Sequence, residues 1–211
     1  MIQSIFNNLI IKIESKFVEH FYHMIRASNI TRGSNINPAD YVNIIGRIIS
    51  LPKKISNKLY YNGFTTKDMQ EGDDVIFRYD VIFDFEEQID GTSKFRNLFM
   101  YKDKEYWSVD IQKVFAVIRN REIIMVNGYC MLENIKLSSK IILPPYLKKN
   151  VNASSATLTQ IGNNLSHLNK ININPGAEVF YNPMIAQEYK IKDKKFAIIR
   201  QKDILGINNI E

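Results

Sequence analysis

Glu19, His20 and His23 are the first residues of this chain whose types and spacing bear on chemistry. Side chains three apart share a helical face, so two imidazoles and a carboxylate here would make part of a metal site. Two histidines beside one carboxylate, with no further ligand nearby, are more often surface or core residues, so no metal is expected. A second group, Asp80, Asp84, Glu86, Glu87 and Asp90, is acidic enough for a cation but lacks calcium-loop spacing and reads as an exposed charged insertion. Phe95-Arg96 and Tyr101-Lys102 interleave rings with cations, as single-strand nucleic-acid binders do. On a strand the same alternation places one residue inward and the next outward, and that is the reading adopted. The chain has no Gly-x-Ser-x-Gly elbow, no phosphate-cradling glycine loop and no paired cysteines. The expectation is a non-enzymatic protein without catalytic residues, metal or cofactor.

The elements around these residues follow from composition and pattern. With 211 residues, 45% of them apolar, the chain can bury one large core or two small ones. Lys and Arg number 28 against 22 Asp and Glu, a net +6, and the two signs are mixed along the chain. Mixed charge predicts a solvated face rather than a nucleic-acid or membrane surface. Cys130 stands alone, which excludes an internal disulfide framework and suits a reducing compartment or a virion assembled in one. The opening Met1–Phe6 has neither a basic region nor a small-residue cleavage site, so no signal peptide is expected. No apolar run approaches the ~20 residues that cross a bilayer, and a soluble protein is expected.

One sequence of features occurs twice. Gln70-Glu71-Gly72-Asp73-Asp74-Val75-Ile76-Phe77, then Lys102–Val109, then Lys113–Val117 form a glycine turn, a strand, a Lys-Asp-Lys turn, a second strand and a closing segment. Asn174-Pro175-Gly176-Ala177-Glu178-Val179-Phe180-Tyr181, Lys192–Ile199 and Asp203–Ile207 repeat that order. The interval after the glycine is longer in the first half, and the extra residues fall around Asp84–Gly91. Insertions belong in exposed loops, where added length costs little. Leu9–Glu14 and Tyr129–Glu133 are expected to begin the two copies as strands; Gly46–Leu51 and Ala156–Ile161 are their next strands. Glu122–Val126 is a further expected strand. The spacing of Phe17, Phe21, Met24 and Ile25 allows a helix over residues 15–26. Many short strands with Gly, Asn and Pro turns give an all-β fold. Its cores should hold Ile11, Ile13, Ile48, Val75, Phe77, Trp107 and Val109 in one copy. In the other they should hold Met131, Leu158, Val179, Ile198 and Ile204.

Asn174–Tyr181, Glu188–Arg200 and Lys202–Ile207 together resemble the C-terminal part of the GroES-type co-chaperonins. Ser138–Pro144 stands where that family has its mobile loop, and Thr157–Gly162 where its next strand ends. The resemblance covers about residues 122–211, and residues 1–120 fit the same template more loosely. It implies two tandem GroES-like β-barrels with long inserted loops, residues 1–120 and 121–211. It also implies a homo-oligomeric ring and, as the aliphatic triplet presented to a partner's groove, Ile141, Ile142 and Leu143 with Tyr146 beside them. Phe17, Phe21, Tyr22 and Met24 occupy the corresponding loop of the first copy. This chain departs from the family pattern in two places. Ser139-Lys140 stand where the family has two glycines, and the first loop carries no aliphatic triplet. Those departures favour a permanent ring component of a larger assembly, such as a phage virion collar or connector put together in the host cytoplasm. The alternative is a cytoplasmic co-chaperonin that caps a chaperonin ring. Partners in either case are the protein itself and other proteins, with nucleic acid and membrane not expected.

Overall fold

The computed structural model describes residues 2–13, 43–87, 93–137, 154–163, 173–191 and 194–208. The chain divides into two compact units, Met1–Ile124 and Met125–Glu211. The expected helix over residues 15–26 lies outside the described residues.

The first unit runs β1 (Asn8–Lys12), β2 (Ile45–Ser50), α1 (Asn57–Tyr61), β3 (Asp74–Phe77), α2 (Asp80–Phe83), β4 (Phe85–Glu87) and β5 (Ser93–Phe95). It continues through β6 (Leu98–Tyr101), β7 (Lys104–Asp110), β8 (Val114–Arg119) and β9 (Glu122–Met125). Seven of these strands form one antiparallel sheet in the order β6-β7-β1-β2-β3-β8-β9, while β4 and β5 pair as a separate hairpin. Two-residue alternation sets the faces. Trp107 and Val109 are buried on β7, whereas Tyr106, Ser108 and Asp110 between and beside them are partly exposed. All seven residues expected in this core are buried, together with Leu9, Val114 and Val117. The links β6–β7 and β8–β9 are two-residue turns with positive φ at Lys102 and Asp103 and at Asn120 and Arg121, the geometry that matches strand twist in tight hairpins.

The second unit contains β10 (Tyr129–Leu137), β11 (Ser154–Ile161), β12 (Glu178–Tyr181), β13 (Gln187–Ile191), β14 (Lys194–Arg200) and β15 (Ile204–Asn208). Its six-stranded sheet has the order β13-β14-β10-β11-β12-β15. Cys130, Leu132, Ala156, Leu158, Val179, Tyr181, Ala197, Ile199 and Ile204 make its core, with Ile173 added from the segment before β12. Met131 and Ile198, expected in that core, are buried and paired across β10 and β14. They alternate with Leu132 and Ala197, so they lie on the opposite face of the sheet.

Leaving β9 aside, the two sheets share one strand order, and the agreement extends to register. Leu9 faces Val109 and Ile11 faces Trp107 across β1 and β7; Cys130 faces Ile199 and Leu132 faces Ala197 across β10 and β14. The β1–β2 ladder slips between Ile10 and Ile11, and the β10–β11 ladder slips at the corresponding Met131 and Leu132. A second irregularity falls between Ile76 and Phe77 on β3 and between Phe180 and Tyr181 on β12. Gly72 and Gly176 both have φ near the mirror-image region, at 94° and 97°, and each donates its N–H to the middle of the preceding strand, to Ile48 and Leu158. A side chain at either glycine would meet no atom within 4 Å, so backbone conformation rather than space requires the glycine. The Ile111 N–H donates to the Asn7 carbonyl at 2.9 Å, and the Gln201 N–H to the Gly128 carbonyl at 2.9 Å.

Two features depart from expectation. Neither run of hydrogen-bonded strands closes on itself among the described residues: the first ends on β6 and β9, the second on β13 and β15. Each of these end strands has four or five residues and presents one unpaired backbone edge among the described residues. The acidic insertion is a β-hairpin rather than an open loop. Its Phe95 packs edge-on against Trp107 with ring centroids 5.6 Å apart, and that apolar contact gives the short strands a support they lack alone.

Candidate partner-binding surfaces

The loop residues expected to meet a partner, Phe17, Phe21, Tyr22 and Met24 in one half and Ile141, Ile142, Leu143 and Tyr146 in the other, lie outside the described residues. The strands that carry the two loops are described. Residues 14–42 connect β1 to β2, and residues 138–153 connect β10 to β11, two antiparallel pairs at matching places in their sheets. The β10–β11 ladder runs to Leu137 opposite Ser154, which holds the base of the second loop together. The metal candidates His20 and His23 also lie outside the described residues.

Of the acidic group, Asp80, Asp84 and Glu86 each lie beside a cationic side chain, and Asp90 lies outside the described residues. Asp80 meets Arg78 at 3.1 Å and Lys113 at 3.2 Å, while Arg96 lies 3.6 Å from Asp84 and 3.7 Å from Glu86. Asn97 ties the start of this region together by donating from Nδ2 to the Val81 carbonyl at 2.9 Å. Among the described residues no three of His, Cys, Asp and Glu converge as metal ligands. Asp73 is buried at the end of the glycine turn and accepts from Arg119 Nε at 2.9 Å and Nη2 at 2.6 Å, and from the Gln70 N–H at 2.8 Å. The Arg119 hydrogen bonds outweigh burial and hold this carboxyl below its ordinary 3.8. Arg119 also donates to the Asp68 carbonyl, so the pair clamps the turn onto the end of β8.

Cys130 is fully buried, and burial, with the charge of Asp203, pushes its thiol up to about 12. A thiol protonated at neutral pH is no nucleophile. Tyr181 is likewise raised to about 12 by burial and by Glu188, and its hydroxyl has no hydrogen-bond partner among the described residues. Both groups are structural.

Two exposed features were not read from the sequence. Ile5 and Phe6 are 69% and 81% exposed, and Phe6 has a positive φ of 55° that a bulky side chain rarely adopts. By the register of β1 against β10 they correspond to Val126 and Asn127, which are both fully buried, Asn127 with the same positive φ. The other feature is α1, whose Tyr60 and Tyr61 face solvent. The only signal for Ile5-Phe6 lay in comparing the halves strand by strand, since neither residue is unusual by itself.

The described residues are mostly β-strands in two antiparallel sheets, and residues 14–42 and 138–153 join matching strand pairs. Residues 121–208 match the family model of the chaperonin 10 kDa subunit. No curated protein gave a match to the chain.

Proposed function

We propose that this chain is a ring-forming co-chaperonin with two tandem GroES-like domains, roughly residues 1–120 and 121–211, that caps a chaperonin ring. The observation that carries the reading is the family match over residues 121–208. The first domain is a divergent copy of the second. Its support is the common strand order, the common registers and the two slips at corresponding positions. Function needs no catalytic group: binding and release of the partner do the work. The protein acts in whichever compartment holds that chaperonin.

Ring formation follows from the same correspondence. Within the first unit, β9 lies against the edge of β8. Residues 2–5 correspond to residues 123–126, and β15 corresponds to β8. The account therefore places residues 2–5 of one chain along β15 of the next, repeating between chains the pairing that β9 makes with β8. Exposed Ile5 and Phe6 are then covered as Val126 and Asn127 are. Edge pairing satisfies backbone groups that would otherwise stay open, and a head-to-tail contact closes into a ring when the rotation permits.

The cap meets its partner through residues 138–153, with Ile141, Ile142 and Leu143 as anchors and Tyr146 beside them. Each aliphatic side chain that leaves water for a partner's groove contributes about 1.5–3 kcal/mol. Phe17, Phe21, Tyr22 and Met24 supply a second, unlike contact. The family match favours a reversible cap over a permanent ring component such as a phage collar, for which no comparison gives support. The test is the double substitution Ile141→Ser and Leu143→Ser, assayed for nucleotide-dependent binding to chaperonin and for assisted refolding. The expected result is loss of both with the ring intact. Unfolding of the variant would place these residues in a core, unaltered capping would show that other residues anchor the cap, and a parent that does not cap would return the choice to the permanent assembly.

A further inference from the structure

The segment between β2 and β3 carries a surface with a chemistry of its own. From Leu51 to Phe64 it contains Lys53, Lys54 and Lys58 and no acidic residue, and all three lysines are exposed. None of them has an ion-pair partner among the described residues. Elsewhere in the unit Arg47, Arg78, Arg96, Lys113 and Arg119 each face a carboxylate. Among these lysines stand Tyr60 and Tyr61, 51% and 76% exposed, their rings in contact edge to face at 6.3 Å and 70°.

The surface is held firmly from behind. The Ser56 N–H donates to Asn7 Oδ1 at 2.8 Å, and the Tyr60 N–H donates to the Ser56 carbonyl at 3.0 Å. Leu59 and Phe64 are buried, and the Phe64 N–H closes back onto the Leu59 carbonyl. The short helix is thus fixed by its apolar side, and its cationic and aromatic side chains are presented to solvent at no further ordering cost in the backbone.

We propose that the face formed by Lys53, Lys54, Lys58, Tyr60 and Tyr61 docks an acidic polypeptide segment in which carboxylates alternate with apolar side chains. Charge complementarity selects carboxylates or phosphates, and the ring geometry decides between them. Successive nucleobases stack on rings that lie roughly parallel, whereas these two stand nearly perpendicular. Edge-to-face tyrosines offer no such pair of parallel platforms, and tyrosine is among the residues that dominate protein interfaces, which favours a polypeptide. The proposal does not rest on residues 138–153.

The experiment uses the full chain and a fluorescein-labelled peptide of repeated Glu-Leu-Asp-Phe units, with anisotropy as the readout and an oligothymidylate of similar length in parallel. Lys53→Ser with Lys54→Ser and Lys58→Ser, and separately Tyr60→Ser with Tyr61→Ser, should each weaken peptide binding by about tenfold or more. A control that removes the same charge elsewhere, Lys104→Ser with Lys195→Ser and Lys202→Ser, should bind like the parent. All these side chains are exposed, and unchanged thermal melting verifies that each variant is folded. The proposal is overturned by an equal loss in the control, by tyrosine variants that bind normally, by absence of peptide binding in the parent, or by tighter binding of the oligonucleotide.

Discussion

At Tyr181 the core of the second unit holds a phenol whose hydroxyl finds no partner among the described residues, while Phe77 occupies the matching place in the first unit. A buried hydroxyl without a hydrogen bond gives nothing in return for its lost hydration. Tyr181→Phe should therefore leave stability unchanged or raise it by up to about 1 kcal/mol, and Phe77→Tyr should lower it by about 1–3 kcal/mol, both read by urea denaturation. Asp73 makes a different prediction. Its carboxyl lies below the ordinary 3.8 because Arg119 hydrogen-bonds the charged form. A depressed carboxyl contributes stability that is complete above its unfolded pKa and is lost as pH falls through its folded one. Melting temperature should hide this group at neutral pH and fall below about pH 4, and Asp73→Asn should melt lower at neutral pH with a shallower acid decline. A parallel shift of both curves across the acid range would exclude the clamp as the cause.

Elements differed in how plainly the sequence announced them. The strands of both sheets were legible because alternation has a period of two and survives in short runs: Trp107 and Val109 inside, Tyr106 and Ser108 outward. Gly72 and Gly176 were legible as turns because glycine adopts such a backbone without strain. By contrast, α1 has five residues, too few to display a helical period, and it is held by the Asn7 side chain from 49 residues away in sequence. The hairpin β4–β5 read only as an acidic insertion, since its support is the tertiary contact of Phe95 with Trp107. Met131 and Ile198 are buried as expected, but on the sheet face opposite Leu132 and Ala197. Apolar type told of burial, but not of which face is buried. At this scale Gly176→Ala should cost about 1–2 kcal/mol, because alanine must enter a positive-φ conformation, and differential scanning calorimetry measures it. Trp107→Ala installs the residue that the second unit has at this register, Ala197. It should cost about 3–5 kcal/mol and expose the β4–β5 hairpin amides to hydrogen exchange. Protection of those amides in the variant would show that the hairpin stands without the tryptophan.

For the whole molecule, the proposed ring depends on one relation: residues 2–5 of one chain would lie beside β15 of the next as β9 lies beside β8 within a chain. In that proposal each chain would bring two domains, and a closed ring would contain an even number of them. Ile5 and Phe6 are the residues whose exposure this relation explains, and their solvent-facing position means that charged replacements leave the fold alone. Native mass spectrometry of the full chain, compared with the double variant Ile5→Asp and Phe6→Asp, tests the claim most directly. The account predicts one closed oligomer for the parent and a folded monomer for the variant. A parent that stays monomeric at micromolar concentration, or a variant that assembles as the parent does, would contradict it.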